Sequence, residues 1–193
     1  MLAEVRACRL CAEHLPLGPR PVLQAGPTAR LLVVGQAPGT RVHATGIPWN
    51  DASGERLRRW LGLEPAVFYD PSRVAIVPMG FCYPGRLPRG GDRPPRPECA
   101  ATWHARLLAN LPAIELTLLI GSFAVRHYLA PEPAPLMDIV RRADVAVAQH
   151  IPLPHPSPRN QNLFKRNPWF EAETIPKLQA RLAELGLAAK GKG

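Results

Sequence analysis

Leu31-Leu32-Val33-Val34-Gly35-Gln36-Ala37-Pro38-Gly39 is the stretch on which the fold turns. Four consecutive apolar residues bounded by turn residues predict a short buried strand. The glycine-bounded turn after it would bring backbone N–H groups close to a small ligand. Downstream, residues 53–62 predict a helix with Leu57, Trp60 and Leu61 on one face and Arg58 and Arg59 on the other. Val74–Val77 predicts a second strand. Residues 97–111 predict a helix, with Pro97 in its first turn and Trp103, Leu107, Leu108 and Leu111 sharing a face. A third strand is expected at Leu116–Ile120, a helix at about 122–129 behind Gly121, and a fourth strand at Ala146–Ile151. A short helix fits near 135–142. The last helix opens at Asn167-Pro168, an N-cap and N1 pair, and runs to about 186.

Strands alternating with helices predict an α/β protein with a short, mostly parallel central sheet. Its 193 residues suit one domain over 1–193, with a tail from about 187 to 193 expected to be disordered. The apolar fraction of 46% supplies a core. No apolar run approaches a membrane span, and the opening MLAEVRACRL carries charge where a leader needs an apolar core. A soluble cytoplasmic protein that meets no membrane is expected. The 24 prolines gather at 84–97, 131–135 and 152–158, as stiff loops between elements.

In parallel α/β sheets, ligands bind outside the carboxyl ends of the strands. Two segments in that position look unlike ordinary connections: Gly35–Asp51 after the first strand and Pro152–Asn160 after the fourth. The first sets Trp49 two residues before Asp51, just ahead of a helix. Asp51 suits an N-cap as well as a site carboxylate, and Trp49 suits a loop anchor as well as a ligand platform. The second holds His155 between prolines, the rigidity that a catalytic imidazole needs, although many loop histidines are plain surface residues. Arg159 at its tip is either a solvated charge or a probe for a nucleic-acid groove.

The formal net charge is +9. So basic a domain tends to meet a polyanion, most often nucleic acid. Arginine carries much of it, in clusters at Arg56, Arg58, Arg59 and at Arg86, Arg89, Arg93, Arg96, and its planar fork suits phosphate.

Cys8 and Cys11 form a C-x-x-C, whereas Cys82 and Cys99 stand apart. Such a set reads as a metal site before it reads as disulfides. Zinc and an iron–sulfur cluster both accept four thiolates, and four unrelated buried thiols remain an alternative. A thioredoxin-type pair fits poorly, because this C-x-x-C precedes the sheet.

GQAPG at 35–39 and HPSPRN at 155–160, in this order, resemble the two motifs of the uracil-DNA glycosylase superfamily. With the N-terminal Cys8 and Cys11, then Cys82 and Cys99 around YPGRLPRGGDRPPRPE, the chain most resembles the superfamily's iron–sulfur branches, families four and five. The resemblance runs from about residue 8 to 182. It implies a three-layer α/β/α sandwich, a 4Fe-4S cluster on the four cysteines, with zinc the lesser alternative, and a monomer acting on damaged or deaminated DNA. In a bacterial cell it would associate with the nucleoid when on DNA. The implied activity is hydrolysis of the N-glycosidic bond of a flipped base in base excision repair. Asp51 and His155 would be catalytic, and Gly35, Gln36, Ala37 and Trp49 would hold the base. Ser157 and Arg159 would contact DNA, Ser157 on a phosphate and Arg159 in the gap left in the stack.

The chain departs from the family at defined places. Ala37 stands where the best-studied branch has a catalytic aspartate, so that role moves to Asp51, which matches the aspartate of a G-D-x-S-G-like pattern in family five. Gln36 stands where family four shows glutamate. Val77-Pro78-Met79-Gly80-Phe81 lacks the uracil-reading asparagine of family four. A base range beyond uracil is therefore expected. A nucleic-acid-binding protein that keeps the fold without catalysis is the competing reading. A small-nucleotide hydrolase is a third, against which the Arg159 loop and the net charge count.

Overall fold

The computed structural model describes residues 1–129 and 133–187. Its strands are β1 (Leu31–Val34), β2 (Val74–Ile76), β3 (Leu116–Ile120) and β4 (His150–Leu153). The helices, in chain order, are α1 (Leu2–Arg6), α2 (Thr40–Thr45), α3 (Ala52–Leu61), α4 (Pro65–Phe68), α5 (Pro97–Leu108), α6 (Ser122–Tyr128), α7 (Leu136–Arg142), α8 (Gln161–Arg166) and α9 (Ile175–Glu184). The strands pair in the order β2-β1-β3-β4, and each pairing is parallel.

Alternation along the strands feeds two cores, since successive side chains point to opposite faces. Leu31, Val33, Leu116, Leu118 and Ile120 pack with Leu57 and Trp60 of α3, Val140 of α7, Phe164 of α8 and Leu178 of α9. Leu32, Val34, Ala75, Val77 and Leu119 pack on the other face with Val5 of α1, Trp103 and Leu107 of α5, and Val125 of α6. Helices thus cover both faces of the sheet, giving the three-layer α/β/α sandwich.

Four expectations need correction. The fourth strand begins at His150 and not at Ala146, because Asp144 holds 144–148 in a turn. Its carboxylate accepts from Ala146 N at 3.0 Å and its carbonyl from Ala148 N at 2.9 Å. The strand then runs through Pro152, tolerated because β4 is an edge. The last helical run is also not uniform. A π-helical turn spans Phe170–Thr174 ahead of α9, where Pro176 has no N–H to continue the regular ladder. The helix expected over 97–111 ends at Leu108. Of the tail expected to be disordered, Leu187 is buried in the core, and residues 188–193 lie outside the described residues.

Among the described residues no helix is long and apolar enough to cross a membrane.

Candidate active site

Strand order reverses across β1, whose connection to β2 leads to one side while β3 lies on the other. A cleft of about 500 Å³ opens beyond the carboxyl ends of the strands, where a doubly wound sheet places its ligand site. Gly35, Gln36, Ala37, Trp49, Asp51, His155, Ser157 and Arg159 all line it. Every non-cysteine site residue expected from the sequence therefore meets in one cavity.

The 35–39 turn is pinned from below. Met79 N donates to Gly35 O at 2.8 Å and Gly80 N to Gln36 O at 2.9 Å. In a trans peptide the N–H opposes the C=O, so the N–H groups of Gln36 and Ala37 point away from the 79–80 segment. The Gln36 amide nitrogen donates to Arg93 O at 3.2 Å, which leaves its carbonyl oxygen as an acceptor at the cleft.

Trp49 is held in a conformation few side chains adopt, with φ at 55°. Its carbonyl accepts from Arg58 at 3.2 Å and from the Tyr69 hydroxyl at 3.3 Å. A Cβ on Gly54 would fall 1.7 Å from that carbonyl oxygen, and one on Gly35 would fall 2.7 Å from Trp49 Cζ2. Only glycine fits either place. The indole is thus a fixed platform, its ring centre 5.5 Å from that of His155.

Asp51 caps α3, its Oδ1 accepting from Gly54 N at 2.8 Å. One carboxylate oxygen serves the cap, and the residue still lines the cleft. The cap and the site role are compatible. His155 is held by Asn160, whose Nδ2 donates to His155 O at 2.8 Å. Burial pulls the His155 pKa below the usual histidine value, against a smaller upward pull from Asp51. Its imidazole is therefore neutral at pH 7. Ser157 Oγ accepts from Arg159 N at 3.2 Å, which keeps the hydroxyl proton free to donate.

Sequence reasoning missed several members of this cleft. Asn160, inside the HPSPRN loop, is the clamp on His155. Arg86 and Asp92 come from the arginine-rich loop, which folds as a hairpin over the cleft rim through an Arg86–Asp92 bridge and a Leu87 N–Gly91 O bond of 2.9 Å. A Cβ on Gly91 would lie 3.6 Å from Arg159 Nη1, so the hairpin meets the HPSPRN loop across the mouth. Partial burial raises the Asp92 pKa, against the pull of Arg86 and Arg159, while Asp51 adds to the rise. The GGD in 90–92 signals a hairpin, but nothing local placed it at this cleft.

A family model for the Uracil DNA glycosylase superfamily matches residues 23–179, a span that holds both cleft loops. The chain belongs to the uracil DNA glycosylase superfamily. In this superfamily member the matched span also contains all four strands and the hairpin over the cleft.

Cys8, Cys11, Cys82 and Cys99 line a second, small cavity, walled by apolar residues that include Leu15, Phe81 and Trp103. Phe81 N donates to Cys99 Sγ at 3.3 Å. Burial pushes the Cys82 thiol up to about 11 and the Cys99 thiol up to about 12, and it raises Cys11 as well, with Glu98 adding to that rise. Among the described residues no three His, Cys, Asp or Glu side chains converge as a single-ion site. A tetrahedral zinc and a cubane both take four thiolates as ligands. The donor set and the apolar wall fit such a group.

Proposed function

We propose that this protein is a monofunctional DNA glycosylase that hydrolyses the N-glycosidic bond of uracil or another deaminated base in base excision repair. The observation that carries this reading is the convergence of Trp49, Asp51, His155 and the 35–39 turn in one cleft, with arginines at its mouth.

The target nucleotide leaves the stack and its base enters the cleft against the Trp49 ring. The N–H groups of the 35–39 turn and the Gln36 carbonyl meet the base edge. As the bond breaks, positive charge grows on the sugar and the electron pair leaves with the base. Asp51 faces the cation and orients the attacking water, which adds to the anomeric carbon. Neutral His155 donates to the departing base oxygen, a role that an imidazolium is not needed for. The base then takes up a proton and an abasic sugar remains. Ser157 binds a phosphate, and Arg159 fills the vacated place in the stack.

Pro78, in the 77–81 stretch that lacks the uracil-reading asparagine of family four, lines the cleft. Proline has no N–H, and the Pro78 carbonyl already accepts from His104 at 3.0 Å. This supports a base range wider than uracil. Cys8, Cys11, Cys82 and Cys99 would hold a 4Fe-4S cluster, which would tie the N-terminal segment to the loop after β2 and to α5.

The test is incubation of the pure protein with oligonucleotides carrying uracil, hypoxanthine or xanthine, paired and single-stranded, with abasic sites scored. Cleavage of any of these, lost in His155→Ala, is the expected result. Tight binding of DNA without cleavage of any base would favour the non-catalytic reading, in which Asp51 serves only its helix cap.

A further inference from the structure

One residue in the wall of the cysteine cavity carries an unsatisfied donor. Trp103 is 5% exposed and forms part of the cavity wall, yet its indole Nε1–H is buried with no hydrogen-bond partner in the protein. A buried N–H without a partner has lost its hydrogen bond to water and gained nothing in return, so native proteins seldom leave one. Trp103 also sits one helical turn beyond Cys99 on α5, a spacing that puts the two side chains on the same face. Arg106 lies over the indole, its Cζ 5.0 Å from the ring centre, and α5 packs the residue against the sheet. The ring therefore has little freedom to turn its N–H elsewhere.

We infer that the Trp103 indole N–H is a hydrogen-bond donor to a sulfur of the group held by Cys8, Cys11, Cys82 and Cys99. This rests on the reading of those cysteines as cluster ligands. Of the side chains that line the cavity, those of the cysteines alone offer an acceptor atom, since Arg96 only donates and the rest are apolar. The same cavity already shows one bond of this type, from Phe81 N to Cys99 Sγ. Trp103 would supply a second donor. Hydrogen bonds to cluster sulfurs stabilise the more negative, reduced state and help to set the potential.

The experiment compares wild type with Trp103→Phe, both purified anaerobically, by iron and sulfide content and by resonance Raman of the Fe–S stretches in ordinary and heavy water. The expected result is that both proteins are loaded and that part of the heavy-water shift seen in wild type is missing from the variant. If the cluster is redox-active, its reduced-to-oxidised ratio at the wild-type midpoint should fall about fivefold, the weight of one ordinary hydrogen bond. Identical spectra and identical isotope shifts in two loaded proteins overturn the Trp103 assignment and leave the cluster reading standing. Wild type without iron and sulfide overturns both. If Trp103→Phe does not fold, wild type labelled with heavy-nitrogen tryptophan decides the matter. Trp103 alone of the four tryptophans lines this cavity, so pulsed EPR of the paramagnetic cluster should show coupling to the label. Loaded, paramagnetic protein without that coupling overturns the assignment.

Discussion

The rings of Trp49 and His155 lie 5.5 Å apart with their planes 35° from each other, although they come from loops that follow different strands. Each is held from behind, Trp49 by Arg58, Tyr69 and two glycines, and His155 by Asn160. Both line the cleft, so a flat base entering it would meet the indole and the neutral imidazole together.

Gly35→Ala should disturb that pairing directly. The new Cβ would sit 2.7 Å from Trp49 Cζ2, so the indole must move. Overpacking of this kind costs roughly 1–3 kcal/mol, measurable by urea unfolding, and base release should fall with it. A variant of unchanged stability and activity would show that the platform is not fixed.

Arg159→Ala should weaken action on a damaged base in duplex DNA more than on the same base in a single strand. Arg159 is exposed at the cleft mouth, beside Gly91 of the opposing hairpin, where a group entering the stack would start. Equal losses on both substrates would remove the wedge role and leave a simple phosphate contact.

His104 supplies a pH test of the fold under the cleft. Pro78 O can only accept, so His104 Nε2 carries the proton, and Nδ1 accepts from the Tyr128 hydroxyl at 2.7 Å. Burial brings its pKa down to about 4, with His127 adding a smaller push in the same direction. The unfolded chain therefore binds more protons between pH 6.5 and 4, and stability falls as pH drops through that window. The loss from pH 7 to 4 should be about 3 kcal/mol more in wild type than in His104→Gln. Parallel pH profiles would place the titration elsewhere.

Much of the fold was legible because short apolar runs bounded by turns have few alternatives. Leu31–Val34 and Leu116–Ile120 fall where the pattern put them. Other parts depend on contacts distant in sequence. The Asp144 turn displaced the fourth strand by competing for its backbone, and Pro152 disguised it. The cleft loops declared themselves through unusual composition, whereas Asp92 and Arg86 reach the cleft only because the hairpin folds back, with Arg93 O accepting from Gln36. Asp51 read equally as cap and as site residue, and its geometry accommodates both.

Purified protein should be brown, with about four irons per chain and matching sulfide. The motive is the shared cavity of Cys8, Cys11, Cys82 and Cys99. Colourless protein with one zinc per chain would contradict it.

Asp51→Asn tests the catalytic account most directly, because asparagine keeps the N-cap bond to Gly54 and removes only the charge. Single-turnover base release and DNA affinity would be measured on the same preparation. The account predicts turnover reduced by roughly a hundredfold or more with affinity unchanged. A variant as active as wild type would confine Asp51 to its cap and contradict the mechanism.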